Sequence, residues 1–354
     1  MQVRISVLDQ SPVSEGATGA DALANTLDLA RLTDSLGYHR YWVAEHHGGP
    51  MLASASPEAL IGPIAAATSQ IRVGSGGVML PHYSPFKVAE TFSILSALYP
   101  GRIDLGIGRA SGTDPLTTFA LQRDRRTAAP DDFPDQLAEL LAYLENDLPS
   151  DHPFARLAEV LPGRPEMPAL WLLGSSPQSA VWAAQLGIPY AFADFINPDG
   201  SEIAAVYREQ FAAGDRRRSA PMTAVAAWVL CADSDEEAQR LATSSRMTLT
   251  MLRRGQLIPV PPVEKAIAFL ESEGKPLTGS LPGRRGIIGS PATVRAGIDE
   301  LAASYRADEV IVVTITHDHA ARRRSYELVA EAMDLAPAVG NSDAGEAVSA
   351  APRS

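Results

Sequence analysis

The sequence predicts a (β/α)₈ TIM barrel, with a doubly wound parallel sheet as the runner-up architecture. Three observations carry this. Short β-rich runs alternate with longer amphipathic helical stretches, and eight such runs fall between Val3 and Thr314. Polar residues gather directly after several of those runs, where barrels place their chemistry. The 354 residues suit one large barrel or two smaller domains, and the repeated strand–helix rhythm favours the barrel.

The elements follow in order. Val3–Leu8 is the first strand, and a helix over Ala20–Leu36 carries Leu23, Leu27, Ala30 and Leu36 near helical spacing, closed by Gly37. His39–Ala44 is the second strand. Ser56 and Pro57 open a helix over Pro57–Thr68, with Ser56 as its N-cap. Ile71–Leu80 is a glycine-rich third strand, and Pro85–Leu98 the next helix. Ile103–Ile107 is the fourth strand, followed by Gly108, Arg109, Ala110, Ser111 and Gly112. Pro134–Leu148 is helical, and a proline-rich approach over Pro149–Pro168 leads to a fifth strand, Ala169–Leu173. Gly174, Ser175, Ser176 and Pro177 open the helix Gln178–Leu186. Pro189–Ala193 is the sixth strand, Ser201–Ala213 a helix and Ala224–Ala232 the seventh strand. Ser234–Met251 reads as one helix, its first turn acidic where the dipole favours anions. Gly289, Ser290 and Pro291 mark another helix start, Val310–Thr314 is the eighth strand, and Arg322–Met333 the last helix. Residues 1–335 are expected to form the barrel. Gln256–Gly286 is a Pro- and Gly-rich insertion of the kind that often forms a lid, and residues 336–354 are a small, polar, disordered tail.

Composition removes several function classes. Hydrophobic residues make up 45% and charged residues 20%, which suits a folded globular chain. Cys231 is the only cysteine, so no disulfide forms within the chain and no multi-thiolate metal site exists. A net charge of −12 argues against nucleic acid as partner. No run of about 18 apolar residues offers a membrane helix, and the strand-like start lacks the features of a signal peptide, so a cytoplasmic protein is expected.

Four polar clusters fall after strands: Asp9-Gln10-Ser11, Glu45-His46-His47, Arg109, and Ser175-Ser176. Ser175, Ser176 and Ser179 lie at a helix N-terminus, where free N–H groups and the dipole suit a phosphate. Ordinary capping explains them as well. Arg109 can close the same anion as a bidentate donor or pair with a surface carboxylate. His46 and His47 are adjacent on a strand end and point to opposite sides, so they do not share a metal, and no metal site is expected. One of them can serve as a proton donor or acceptor. His317 and His319 read as a solvated loop. Gly74, Gly76 and Gly77 inside a strand suggest close approach of bare backbone to a flat ligand. Trp42, Trp171 and Trp182 read as packing, and Cys231 as a small buried hydrophobe.

Three stretches then align in series: Tyr41 to His47, Val73 to Pro81, and Gly101 to Arg109. With Gly174-Ser175-Ser176 and Gly289-Ser290-Pro291 behind them, they resemble the bacterial luciferase-like flavin monooxygenases from Val3 to about Met333. The chain is similar to the short actinobacterial members of secondary metabolism. The resemblance implies a barrel with insertions, a homodimer, and use of reduced FMN and O₂ through a C4a-peroxyflavin. A separate flavin reductase would supply the reduced FMN, and the substrate would be an organic small molecule such as an aromatic polyketide intermediate. By the same resemblance His46 is the active-site histidine, Gly76-Gly77 a non-proline cis peptide against the flavin ring, and Arg109, Ser175, Ser176 and Ser179 the phosphate-binding set. One position departs: Gly108 stands where the luciferase α chain has a cysteine. Two alternatives keep the same barrel, an F420-dependent dehydrogenase or reductase that moves hydride, and a flavin-binding protein without catalysis.

Overall fold

The computed structural model describes residues 3–109, 114–122, 125–126, 132–213, 218–279 and 283–337. Among the described residues, nine strands form one parallel sheet: β1 (Arg4–Asp9), β2 (Arg40–Val43), β3 (Arg72–Met79), β4 (Ile103–Gly108), β5 (Ala169–Gly174), β6 (Tyr190–Ala193), β7 (Thr223–Cys231), β8 (Gly286–Gly289) and β9 (Glu309–Val313). β1 to β7 pair in sequence order, β7 pairs with β9, and β9 returns to β1. The pairing of β6 with β7 closes the ring, which rules out the open doubly wound sheet. Its eight strands are the eight expected from sequence.

β8 is the strand that periodicity missed. It has four residues and begins at Gly286, the last residue of the stretch read as an insertion. Trp228 of β7 pairs with Gly286 of β8 and with Val313 of β9, so the two partners sit on opposite edges of β7. β6 stops opposite Ala226, and β8 takes over that edge from Trp228 to Cys231. The barrel wall is thereby raised above β6. The same stretch also contains a helix, Val263–Ser272.

Period-two alternation divides the side chains. Leu8, Trp42, Trp171, Ala224, Ala226, Ile311 and Val313 face the barrel interior, while Val7, Tyr41, Val43, Val225, Ala227, Val310 and Val312 pack under the helices. At the N-terminal end the interior is filled by charge. Arg40 donates from Nε to Glu309 Oε1 (2.7 Å) and from Nη1 to Asp104 Oδ2 (2.7 Å). Trp42 Nε1–H donates to Asp104 (3.0 Å), and the Arg40 guanidinium lies 4.6 Å from the Trp171 ring centroid. Burial pushes the Glu309 carboxyl up, with Arg40 opposing. The floor is thus plugged by paired ions and aromatics. Toward the other end small residues such as Ala44, Gly76, Gly77, Gly108 and Ala193 line part of the wall, which leaves room at the mouth.

Local differences from the expected elements have simple causes. Ser56 occupies the N-cap of the helix Pro57–Ala67 without a side-chain capping bond, so Pro57 alone marks that start. The stretch Ser234–Met251 is two helices, Asp235–Leu241 and Thr243–Arg253, joined at Ala242. His319 is no loop residue: it opens the helix His319–Ala332 and sits 2.8 Å from Asp28, while His317 Nε2 lies 3.2 Å from the Glu15 carbonyl. Cys231 is buried, and burial pushes its thiol up to about 12. No helix among the described residues is long and apolar enough to cross a membrane. Ala110, Ser111, Gly112 and residues 338–354 lie outside the described residues.

Candidate functional site

Two adjoining cavities open at the C-terminal mouth of the barrel. The larger holds about 480 Å³ and the smaller about 250 Å³, and Gln10, His46, Phe195 and Ile196 border both. The four polar clusters expected at strand ends divide around them.

The first cluster mostly turns away. Asp9 is buried toward the helices, where it accepts from Arg322 Nη2 (2.6 Å), Thr26 Oγ1 (2.7 Å) and Ser11 N (2.8 Å). Burial alone would raise its pKa; Arg322, Tyr41 and Thr26 outweigh that and hold it below the ordinary value. Asp9 is therefore an anchor for the helix that carries Arg322, and only Gln10 reaches the cavities.

The second cluster splits in the way alternation demands. Glu45 Oε1 lies 2.8 Å from His47 Nε2, and Glu45 Oε2 accepts from Met79 N (2.9 Å), which fixes the end of β3. His46 stands between the two cavities. Its Nδ1 is shut off from solvent and has no hydrogen-bond partner. Burial, helped by His47, lowers its pKa to about 4, so the ring is neutral at pH 7. The described residues contain no cluster of three or more metal-ligating side chains.

The third and fourth clusters both line the larger cavity, with Arg109, Ser175, Ser176 and Ser179 on its wall. Ser176 caps the helix Pro177–Leu186, accepting from Ser179 N at 3.4 Å. The Ser179 hydroxyl donates to the Ser176 carbonyl (2.8 Å) and lies 2.9 Å from the Tyr190 hydroxyl. Capping and cavity lining thus coexist in the same residues. Arg109 is carried over the ring of Trp182, 5.7 Å from its centroid, and Trp182 packs on Phe133 at 5.4 Å. Trp182 is therefore a cavity wall as well as packing, a role its sequence position did not disclose. Trp42 also touches the cavity.

Bare backbone forms one wall. The Gly76–Gly77 peptide is cis. A Cβ on Gly77 would lie 2.8 Å from the Gly106 carbonyl oxygen, a backbone atom, so that position excludes a side chain, and one on Gly76 would press on Leu8 Cδ1 at 2.5 Å and Trp42 Cβ at 3.0 Å. Gly108, also on the wall, would press a Cβ against Met79 Cε at 2.6 Å. A flat backbone wall, a neutral imidazole and a cationic, hydroxyl-rich end suit a planar heterocycle with an anionic tail. The sequence profile of the luciferase-like monooxygenases matches residues 1–308.

The chain belongs to the luciferase-like monooxygenase family.

Relatives agree over nearly the whole length. An N-acetyl-S-alkylcysteine monooxygenase of Bacillus subtilis (strain 168) is 38% identical over 334 residues, covering 94% of this chain and 98% of its own. The solved structure of apo-MsnO8 is 44% identical with a TM-score of 0.85, covering 95% of this chain and 99% of that one. The oxygenating constituent of 3,6-diketocamphane monooxygenase from the CAM plasmid of Pseudomonas putida, solved in complex with FMN, shares the fold at 21% identity and a TM-score of 0.70, covering 96% and 99%. Membership in this family supports an oxidoreductase.

Several wall residues carried no sequence signal of their own. Phe195 and Ile196 follow β6 directly, and a search of every strand's C-terminal end would have found them. Arg284 reaches the smaller cavity from beside β8, a strand that periodicity did not reveal.

Proposed function

We propose that the chain is a monooxygenase that uses reduced FMN and O₂ to oxygenate an organic small molecule. The observation that carries the reading is the larger cavity itself, with a backbone wall at Gly76 and Gly77 and an anion-ready end at Arg109, Ser175 and Ser176. In this reading Arg109, the serine hydroxyls and the N-terminus of Pro177–Leu186 hold the FMN phosphate. Gly76 and Gly77 lie against the ring system, where no Cβ obstructs it. When bound, reduced FMN supplies the two electrons that let O₂ deliver one oxygen atom to substrate and the other to water.

The chain's own residues do the rest. His46, neutral at pH 7, holds or moves a proton at the boundary between the cavities. The aromatic wall of Phe133, Trp182 and Phe195 excludes water from the larger cavity. Substrate occupies the smaller cavity. An aromatic polyketide intermediate is the class the resemblance suggests, and an N-acetyl-S-alkylcysteine, the named substrate of the Bacillus relative, is the second. A separate flavin reductase supplies the reduced cofactor, and the working form is a homodimer in the cytoplasm.

Anaerobic titration with reduced FMN, followed by admission of O₂ with candidate substrates, tests the reading. Binding, oxygen consumption and a product heavier by one oxygen atom support it. Turnover with reduced F420 and no oxygen uptake with reduced FMN would reassign the chain to the dehydrogenases of this fold. FMN binding with no turnover of any kind would leave a flavin-binding protein.

A further inference from the structure

The smaller cavity is apolar along its walls, through Leu249, Leu252, Leu257 and Ile315, and carries one arginine, Arg284. Of its other polar side chains, His47 pairs with Glu45, while the Trp228 indole N–H is buried without a partner among the described residues. Ser245 and Thr248 spend their hydroxyls on the carbonyls of Ala242 and Ser244, within their own helical stretch. His46 and Gln10 lie on the boundary with the larger cavity.

Arg284 is placed there by the fold. It stands two residues before β8, on the raised wall above β6. Its neighbour Arg285 is held by the Pro198 carbonyl (2.7 Å) and lies 3.7 Å from Asp194, whereas Arg284 lines the smaller cavity. Its one recorded hydrogen bond among the described residues runs from Nη1 to the Phe195 carbonyl, and no carboxylate there pairs with it. Arg246 makes the contrast. It is buried nearby, and its guanidinium is enclosed by the Gln239, Leu277 and Gly279 carbonyls and the Gln239 side chain. Arg246 is spent on structure, whereas Arg284 keeps donors for something else. Burial lowers the Arg284 pKa, and Arg253 adds like charge. A half-buried guanidinium without an acidic neighbour gains most from an incoming anion.

We propose that the smaller cavity binds an organic carboxylate with an apolar body, the carboxylate on Arg284 and the body directed toward His46. A planar guanidinium offers paired donors that match a carboxylate. The volume of about 250 Å³ equals roughly eight waters at about 30 Å³ each, which sets a modest size for the part enclosed. The orientation toward His46 rests on the flavin reading of the larger cavity; the carboxylate preference does not.

The test compares hexanoate, octanoate and 4-phenylbutyrate with their primary amides by calorimetry, on the protein with and without FMN. At least one acid should bind about tenfold or more tightly than its amide, a difference of about 1.4 kcal/mol. Arg284→Gln should erase that gap, Arg284→Lys should retain part of it, and FMN affinity should stay unchanged in both. The proposal is overturned if no acid outbinds its amide, if no acid binds, if Arg284→Gln keeps the gap, or if it weakens FMN instead. Selective acid binding by protein that fails to bind FMN would sink the flavin reading and leave this one standing.

Discussion

Glu45 Oε1 and His47 Nε2 lie 2.8 Å apart, and the pairing leaves His46 alone between the two cavities. One histidine of the pair is thereby tied to the wall. The other keeps a buried Nδ1 with no partner and a pKa near 4.

If His46 manages a proton, His46→Ala should lower kcat by about 10²-fold or more, the usual range for general acid–base groups. FMN affinity should change little. Steady-state kinetics beside FMN titration separate the two, and unchanged turnover would remove the role given to His46.

The same burial has a pH signature. Desolvation holds His46 near 4 in the folded chain, against an ordinary value of 6.5. Between those values the unfolded chain binds more protons, so this contribution to stability is present above pH 6.5 and is lost as pH falls toward 4. The slope from one such group is at most roughly 1.4 kcal/mol per pH unit. His39, lowered to about 4 mainly by burial and then by Arg40, adds a second such group. Urea unfolding at a series of pH values should therefore show a shallower acid loss in His46→Gln than in the parent chain. Equal slopes would contradict the buried neutral imidazole.

Arg40 should be costly to remove. Arg40→Met leaves Glu309 and Asp104 buried at the barrel floor, with Arg72 still on Asp104 but no cation on Glu309. Breaking a buried pair in this way costs about 3–5 kcal/mol. Equilibrium urea unfolding measures it, and a loss under about 1 kcal/mol would show that the floor tolerates uncompensated charge.

The glycine wall gives a steric prediction. In Gly77→Ala the new methyl meets the Gly106 carbonyl oxygen at 2.8 Å, a backbone atom with little freedom to move. The strain should cost about 1–3 kcal/mol of stability. It should also weaken FMN by about tenfold or more if the ring lies there. Gly108→Ala meets only the flexible end of Met79 and should be far milder in both assays. Equal effects from the two substitutions would argue against a specific role for the Gly77 wall.

The fold was largely legible in the sequence, and particular residues show why. Leu8, Trp42 and Ile311 alternate with outward neighbours, so period two exposed the strands. β8 escaped because four residues with a glycine at each end give no period to read. His46, Arg109 and Ser176, picked out because polar residues stand at strand ends, all line the larger cavity. The site was not legible where a residue's role depends on closure of the ring. Asp9 looked like a site residue and is held instead by Arg322, 313 positions away in sequence. Trp182 looked like packing and lines the cavity under Arg109. Long-range placement of this kind has no local signal.

The central claim is that Arg109 and the serines hold the phosphate of a flavin in the larger cavity. Anaerobic titration of the parent chain and of Arg109→Gln with reduced FMN and reduced riboflavin tests it directly. The account predicts saturable FMN binding at tens of micromolar or below, a clear preference over riboflavin, and loss of that preference in Arg109→Gln. No FMN binding in that range, or the same preference in both proteins, would contradict it.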